Sequence, residues 1–367
     1  MIISDNFDAL HEQKNTIWMG QNTNHLPTHP LVEEALLRAV REQTFNLYAP
    51  PSGMEELKEQ VLNDVLGPEH SKRTGVLITD GAVEGLYLTS KRLSDESTTF
   101  ITSDPTWVWP LKFSANEGAK VVRLPIYNAQ NNFKILAEQL EAELKNALKS
   151  ILYIVDPLNP LGSSYNKTEI IEIAALAKES DSIVIHDCTY RDFAFEHYLI
   201  RDFYPEKTIT TYSFSKWLGI AGLRTGAIIV DEPLLSFLID DQPNILGSNI
   251  VGQIAAIAAF KVKTEWVTQI NSVQRHNQEK IKATFDLFEG FNPVVYPSNG
   301  NFISVDCTKS SVRASYVAEK LLEKGIFVRT SDYHSDVLKD TFLKISTTVP
   351  EEWADQLCHQ LSDILPA

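Results

Sequence analysis

The chain has 367 residues, of which 43% are hydrophobic and 22% are charged, so it is long enough for a large globular domain and a smaller one. Its formal net charge of −15 argues against nucleic-acid binding. Because no apolar run could span a bilayer and the N-terminus lacks the basic start and apolar core of a signal peptide, we expect a cytoplasmic protein without a membrane partner.

In chain order, seven short β-rich runs predict the strands of one sheet. Several are continuously apolar, which is typical of a mostly parallel sheet that is covered on both faces. The predicted strands cover residues 76–79, 99–102, 121–124, 151–155, 183–185, 209–212 and 227–230. Between them, apolar residues recur at helical spacing from Ile135 to Leu148, and Asn166 and Glu169 form a capping box ahead of a helix at 170–178. This alternation predicts an α/β fold with a three-layer large domain.

The sequence pattern changes after about residue 250. A long helical stretch at 250–288 precedes strand candidates at 302–305 and 326–329, a helix that ends at Gly325 and a last helix from Pro350. These elements predict a smaller α/β domain. The expected organisation is an N-terminal segment (1–45) that joins the small domain, a large domain (46–250), and an interdomain helix with the small C-terminal domain (251–367).

The stretch TYSFSKWLGIAGLRTG places Lys216 directly after the predicted strand at 209–212. Ligands of parallel α/β sheets bind beyond the carboxyl ends of the strands, so Lys216 is a candidate to form a Schiff base if its surroundings lower its pKa. Ser213, Ser215 and Arg224 are candidates to bind a phosphate through hydroxyl and guanidinium donors. From this stretch alone, an exposed lysine on a loop is an equal alternative.

The same stretch also matches the S-x-x-K motif of acyl-serine enzymes such as penicillin-binding proteins. However, Ser4-Asp5-Asn6 precedes the motif instead of following it, and Arg224-Thr225-Gly226 lies too near to form the opposing wall of a cleft. The motif also requires its serine at the start of a helix, whereas here a strand leads up to Ser213. The sequence therefore disfavours an acyl-serine enzyme.

Other predicted strands end in residues that can contribute to a ligand site. Each residue alone has a structural explanation as a helix cap, a turn residue or a core aromatic. All of them nevertheless fall at the carboxyl ends of strands in one sheet, where they can converge. The candidates are Trp107, Asn159, Asp187 and Tyr190, together with the N–H groups of Gly81, Ala82 and Val83 at a predicted helix start that would receive an anion.

In this order and spacing, the N-P-x-G, D-x-x-Y and S-x-S-K segments with a later arginine resemble the class I/II aminotransferases, pyridoxal-phosphate enzymes of fold type I. The resemblance covers nearly the whole chain. It implies that Lys216 forms the internal aldimine and acts as general base, while Asp187 pairs with the protonated pyridine nitrogen. It assigns the other cofactor contacts to Asn159 and Tyr190 on the 3-oxygen, Trp107 on the ring face, and Gly81, Ala82, Val83, Ser213, Ser215 and Arg224 around the phosphate.

The resemblance also implies a homodimer with active sites at the interface. Tyr48, in NLYAPPSG, matches the family's tyrosine that reaches the phosphate of the partner subunit. The implied substrate is a small-molecule amino acid. GAVEGLYL and YAPPSG resemble the histidinol-phosphate aminotransferase branch most, although His25 replaces the acid of that branch's N-E-x-P segment.

The substrate side of the site departs from the family. Transaminating members usually carry an arginine, in a segment like LRIS, that grips the substrate α-carboxylate, whereas FLKIS places Lys344 there. Lysine offers a point charge without the bidentate fork of arginine. Arg329, in GIFVRTSDY, and Asn24, in NHLP, are the other candidate substrate-binding residues.

These residues favour an aminotransferase that acts on an L-amino acid. The alternative is a pyridoxal-phosphate lyase or cyclase that acts at Cβ or Cγ, such as a capreomycidine synthase-like cyclisation of a hydroxylated arginine, because Lys216, Asp187 and Asn159 would serve all these reactions. No metal is expected, since the three cysteines have no metal-ligand spacing.

Overall fold

The computed structural model describes Leu10 and residues 15–365. The strands in these residues are β1 (Ile17–Trp18), β2 (Thr74–Thr79), β3 (Thr98–Asp104), β4 (Lys120–Pro125), β5 (Lys149–Val155), β6 (Ile183–Asp187), β7 (Thr208–Ser213), β8 (Gly226–Asp231), β9 (Asn292–Pro293), β10 (Phe302–Asp306), β11 (Ile326–Phe327), β12 (Arg329–Thr330) and β13 (Phe342–Ser346). The α-helices are α1 (Pro30–Arg41), α2 (Glu55–Leu66), α3 (Ala82–Leu93), α4 (Trp109–Asn116), α5 (Ala137–Leu144), α6 (Lys167–Glu179), α7 (Phe214–Trp217), α8 (Leu234–Ile239), α9 (Ile250–Phe260), α10 (Lys263–Phe285), α11 (Ala314–Glu323) and α12 (Glu351–Ile364).

A seven-stranded sheet forms the centre of the large domain, in the order β2-β8-β7-β6-β5-β3-β4. Only β8 runs antiparallel to its neighbours, β2 and β7, and the other pairs are parallel. All seven predicted strands are present, so the mostly parallel sheet is confirmed. The parallel strands therefore end at one edge, where their terminal residues meet.

Helices cover both faces of this sheet, as the continuously apolar strands predict. On β2, Leu77 belongs to one buried apolar cluster while Val76 and Ile78 belong to another, because side chains alternate between faces along a strand. Residues of α5, α6 and α8 pack in the first cluster, and residues of α1, α2 and α9 pack in the second. The arrangement is the expected three-layer α/β fold.

Two helix predictions need correction and one is confirmed. The capping box of Asn166 and Glu169 is present at the start of α6. The helix predicted through Leu148 ends at Leu144, and Leu148 is 96% exposed because the chain turns there into β5. The predicted single helix at 250–288 is two helices, because Val262, with φ −125° and ψ 9°, leaves the helical region between α9 and α10.

The smaller domain contains a four-stranded antiparallel sheet in the order β12-β13-β10-β9. The strand predicted at 326–329 is two short strands, β11 and β12, and β11 pairs in parallel with β1 near the N-terminus. The N-terminal segment thus contributes a strand to the small domain, while the exact domain limits stay a prediction. Within the described residues, no helix is long and apolar enough to cross a membrane.

Candidate active site

The carboxyl edge of the large sheet opens onto a cavity of about 530 Å³ that also reaches the small domain. Most residues predicted for the site lie in its wall. These residues are Ala82, Val83, Trp107, Asn159, Asp187, Tyr190, Ser213, Ser215, Lys216, Arg224, Arg329 and Lys344. The predicted convergence of distant sequence segments therefore occurs in the folded chain.

Lys216 lies in the first turn of α7, directly after β7. Ser213 caps this short helix, since its hydroxyl accepts the Ser215 N–H at 3.3 Å. The expectation that no helix starts at Ser213 is therefore wrong, while Ser4-Asp5-Asn6 lies outside the described residues. The Lys216 amine donates to the Gln21 carbonyl at 3.1 Å. Burial, aided by the nearby positive charge of Arg224, lowers the pKa of Lys216 to about 8, which makes the amine a nucleophile near neutral pH.

A cradle for an anion lies where β2 leads into α3. The first N–H groups of a helix have no partner within the helix, and they favour negative charge. Gly81 takes φ 77°, and a Cβ there would sit 2.4 Å from Nη2 of Arg224. A Cβ at Gly226 would sit 2.2 Å from the Ala82 nitrogen. Because both positions are glycines, the guanidinium and the helix start lie side by side, which fits the phosphate of pyridoxal phosphate.

Asp187 ends β6 and is buried at the cavity wall, with 3% of its surface exposed. It accepts hydrogen bonds from the Thr189 hydroxyl at 2.7 Å, from the Thr189 N–H at 3.2 Å, and from the Thr211 and Tyr153 hydroxyls at 2.9 Å each. A buried carboxylate needs such donors to stay ionised. The arrangement suits a carboxylate that pairs with a protonated ring nitrogen.

Asn159 and Tyr190 are oriented by Asn22, a residue that the sequence analysis missed. The Asn22 amide donates to the Tyr190 hydroxyl at 3.0 Å and to Asn159 Oδ1 at 3.5 Å. Lys344 Nζ also donates to Asn159 Oδ1, at 3.2 Å. The amide NH₂ of Asn159 and the O–H of Tyr190 are thus left to donate, and burial raises the pKa of Tyr190 so that the phenol keeps its proton. Both can donate to the ring's 3-oxygen.

Asn24 is placed differently from its predicted role. Its amide donates to the Trp217 carbonyl at 3.3 Å, and its Oδ1 accepts the Leu26 N–H at 3.0 Å. Asn22, two residues earlier, lines the cavity instead. A second asparagine in the QNTN segment was the sequence signal for it, but spacing alone does not say which of the two faces the site.

Lys344 and Arg329 form the small-domain wall of the cavity. They are paired residues on the neighbouring strands β13 and β12. Burial, with the positive charges of Arg329 and Lys216 nearby, holds the pKa of Lys344 well below its usual range. The Arg329 guanidinium stacks on the Tyr333 ring at 3.7 Å from its centroid. The Arg329 guanidinium and the Lys344 amine, whose charged form is disfavoured, therefore face the cavity from one small sheet.

Tyr48 does not line this cavity, and 77% of its surface is exposed. It borders a second cavity of about 420 Å³, to which Arg224, Asp80 and Asn244 also contribute. Arg224 is thus shared between the two cavities. The Tyr48 side chain is free to contact a second molecule, as a residue that reaches a partner subunit must be.

One buried group near Asp187 has distances compatible with a metal. Ligand atoms of His186, Cys188 and His197 lie within 4.8 Å of one another. However, the Ile200 N–H donates to His186 Nδ1 at 3.4 Å, so this nitrogen is already used as an acceptor. His197 Nε2 donates to the Asp156 carbonyl at 3.0 Å. His197 Nε2 is thus used as a donor, whereas His186 Nε2, at 3.8 Å from Asp156 Oδ2, has no hydrogen-bond partner among the described residues. The predicted absence of a metal stays a prediction.

Comparison with known proteins gives the same result from independent observations. The chain is 25% identical over 365 residues to the aspartate aminotransferase of Pyrococcus horikoshii, covering 95% of this chain and 90% of that protein. It is 27% identical over 325 residues to the histidinol-phosphate aminotransferase of Brevibacillus brevis, covering 86% and 82%. The solved N-succinyldiaminopimelate aminotransferase of Mycobacterium tuberculosis shares the fold, with a TM-score of 0.88, 21% identity, and coverage of 99% of this chain and 97% of that one.

The family itself is established by its sequence model rather than by any single relative. The model described as aminotransferase class I and II matches residues 14–361, nearly the whole chain. The glycine-lined anion cradle, the buried carboxylate and the cavity lysine all fit the cofactor of that family. The chain therefore belongs to the class I and II aminotransferases and is a pyridoxal-phosphate-dependent enzyme.

Proposed function

We propose that this aminotransferase takes the amino group from an L-amino acid, with Lys216 as the residue that bonds the cofactor. The observation that carries the proposal is the Lys216 amine, whose pKa of about 8 leaves it reactive in the same cavity as Asp187 and the anion cradle. Bound pyridoxal phosphate supplies an aldehyde that bonds amines and a protonated ring that withdraws electrons from the adjacent carbon.

Each residue of the large-domain wall has a separate role toward the cofactor or the substrate in this proposal. Lys216 Nζ, as a free amine, would take the proton from the substrate Cα. Asp187 would pair with the protonated ring nitrogen. Asn159 and Tyr190 would donate to the 3-oxygen and so fix the orientation of the ring.

Arg329 and Lys344 together bind the substrate α-carboxylate in this proposal. Paired residues on antiparallel strands lie roughly 4.5–5.5 Å apart at Cα, so one carboxylate can contact both side chains. Arg329 supplies the bidentate fork that the family's arginine would supply from the position of Lys344. Lys344 contributes a second charge once the bound carboxylate favours its protonated form, and its hydrogen bond to Asn159 links the carboxylate site to a residue that would contact the cofactor ring.

We further propose a homodimer in which Tyr48 reaches the phosphate of the partner's cofactor. The exposure of Tyr48 and its position beside Arg224 support this arrangement. Light scattering would test the dimer, and Tyr48→Phe should weaken phosphate binding without changing the dimer. A cytoplasmic location stays a prediction.

A reduction experiment tests Lys216 directly, and the cavity provides its own control. Sodium borohydride should fix pyridoxal phosphate on the tryptic peptide that contains Lys216. Lys344 is the other lysine in the wall of this cavity, so a label on Lys344 would overturn the assignment. Lys216→Ala should lose the label, whereas Lys344→Met should keep it.

A single-turnover experiment tests the reaction. The cofactor-loaded enzyme is mixed with each of a panel of L-amino acids, including arginine derivatives, and no keto acid is added. Transamination predicts one equivalent of keto acid and conversion of the cofactor to its pyridoxamine form. Repeated turnover with loss of ammonia, water or carbon dioxide would instead identify a lyase, cyclase or decarboxylase.

A further inference from the structure

The two oxygens of Asp187 carry unequal numbers of hydrogen bonds. Oδ1 accepts three, from the Thr189 N–H, the Thr189 hydroxyl and the Thr211 hydroxyl. Among the described residues, Oδ2 accepts one, from Tyr153 at 2.9 Å. Since each carboxylate oxygen has two lone pairs, Oδ2 is the oxygen with room for another donor.

Tyr153 is built into the sheet so that it can only donate. It lies on β5 with no exposed surface, and its ring packs against Phe100 at 6.0 Å between centroids. Burial and the charge of Asp187 raise the pKa of Tyr153 well above its usual value, so the phenol keeps its proton. The side chain is on a rigid central strand and does not line the cavity.

We propose that Tyr153 is a positioning residue that sets how strongly Asp187 holds the proton on the ring nitrogen of pyridoxal phosphate. The inference uses the cofactor of the family and the pairing of Asp187 with the ring, and it does not depend on Lys216. Oδ2, the oxygen that accepts the Tyr153 phenol and has room for a second donor, would accept the ring N–H. A donor on the same oxygen reduces its basicity, so the phenol weakens the hold of Asp187 on the ring proton.

The test is a pH titration of the ring nitrogen itself. Wild-type enzyme and Tyr153→Phe are loaded with pyridoxal phosphate that carries ¹⁵N in the ring, and the ¹⁵N chemical shift is followed with pH. Loss of the phenol should raise the pH at which the ring loses its proton by about one unit, a tenfold gain in proton affinity. Phenylalanine keeps the packing on Phe100, so thermal unfolding and the cofactor dissociation constant should change little.

Thr211→Val is the matched control, because it removes one of three donors to the other oxygen. Its midpoint should move by much less than that of Tyr153→Phe. A site-specific 3,5-difluorotyrosine at position 153 donates more strongly and should move the midpoint in the opposite direction, which gives a second test in a chain with an intact phenol. An unchanged midpoint in Tyr153→Phe, or an equal or larger change in Thr211→Val, would overturn the proposal.

Failure of this proposal can be told apart from failure of the Lys216 assignment. The ring ¹⁵N signal reports on bound cofactor whether or not a lysine is bonded to it. A borohydride label on Lys216 with no midpoint change in Tyr153→Phe would reject only the role of Tyr153. A clear midpoint change without a label on Lys216 would reject only the covalent assignment.

Discussion

The two walls of the cavity hold their charged groups in different ways. On the large-domain wall, the Asp187 carboxylate is fixed by four hydrogen bonds, and the anion cradle is fixed by a helix start. On the small-domain wall, Lys344 lies beside the Arg329 guanidinium, and burial together with that positive charge disfavours the charged form of Lys344. The large-domain wall is suited to a cofactor that stays bound. On the small-domain wall, the charged form of Lys344 becomes more favourable when an anion binds.

This difference also separates the residues that would hold the cofactor from the residues that would select the substrate. The cofactor side can be organised before substrate arrives, because hydrogen bonds within the protein already hold Asp187, Asn159 and Tyr190 in place. The substrate side keeps unfavourable like-charge proximity, which a carboxylate relieves on binding. The large-domain wall is therefore the fixed wall of the cavity, and the small-domain wall, formed by Lys344 and Arg329, is the adjustable one.

The largest effect is expected at Lys216. Lys216→Ala removes both the amine that bonds the cofactor and the base at the substrate Cα, so kcat should fall by at least about 10³-fold. Steady-state transamination assays would measure the loss. Lys344→Ala, as the control, should keep cofactor bonding and lose mainly substrate affinity. If Lys216→Ala worked at near wild-type rate, Lys216 would be neither the residue that bonds the cofactor nor the base, and the different roles assigned to the two lysines would be wrong.

Asp187→Asn should have the next largest effect. The amide keeps the shape of the side chain but loses the charge that holds the ring proton, so kcat should fall about 10²–10³-fold. Absorbance should still show bound cofactor, because the anion cradle is untouched. If full activity persisted, the carboxylate would serve only to join β6 to its neighbours.

The sequence predicts which residues meet on the large-domain wall because strand order and strand ends determine their convergence, while the roles of these residues stay predictions. Asp187 and Lys216 follow apolar strands, so their convergence follows from the parallel sheet. The choice of Asn22 over Asn24 depends on a left-handed turn, with φ 54° at Asn22, that spacing does not encode. Tyr153 lies in an apolar strand, β5, and the sequence gives no sign of a role for its hydroxyl. That role is visible only in the folded sheet, where β6 lies beside β5 and Asp187 accepts the hydroxyl.

The adjustable wall should make the affinity for a carboxylate depend on pH. The pKa of Lys344 is lowered in the free cavity, and a bound carboxylate raises it, so binding takes up a proton between the two pKa values. Affinity for a simple carboxylate such as propionate should therefore fall as pH rises, by up to tenfold per unit. Calorimetry of the cofactor-loaded enzyme in buffers of different ionisation enthalpy would count the protons.

Lys344→Arg is the matched control for this linkage. Arginine stays charged across the range, so proton uptake and the accompanying pH slope should disappear while the carboxylate still binds. His334, nearby, does not complicate the reading, because burial lowers its pKa and keeps it neutral. Wild-type binding without proton uptake would contradict this prediction, because it would mean that the protonation state of Lys344 does not change when the carboxylate binds.

The smallest effect is expected where the two walls meet at the edge of the cavity. Trp109 Nε1 donates to the Tyr333 hydroxyl at 3.2 Å, which joins α4 of the large domain to the small domain. Because this hydrogen bond is exposed, Tyr333→Phe should cost about 0.5 kcal/mol, or roughly a twofold rise in KM with kcat unchanged. Tyr316→Phe, at an exposed tyrosine on α11, should change neither constant. A hydrogen bond that only stabilises the edge of the cavity should not change the chemical step. A large fall in kcat for Tyr333→Phe would therefore show that contact between the two walls controls catalysis.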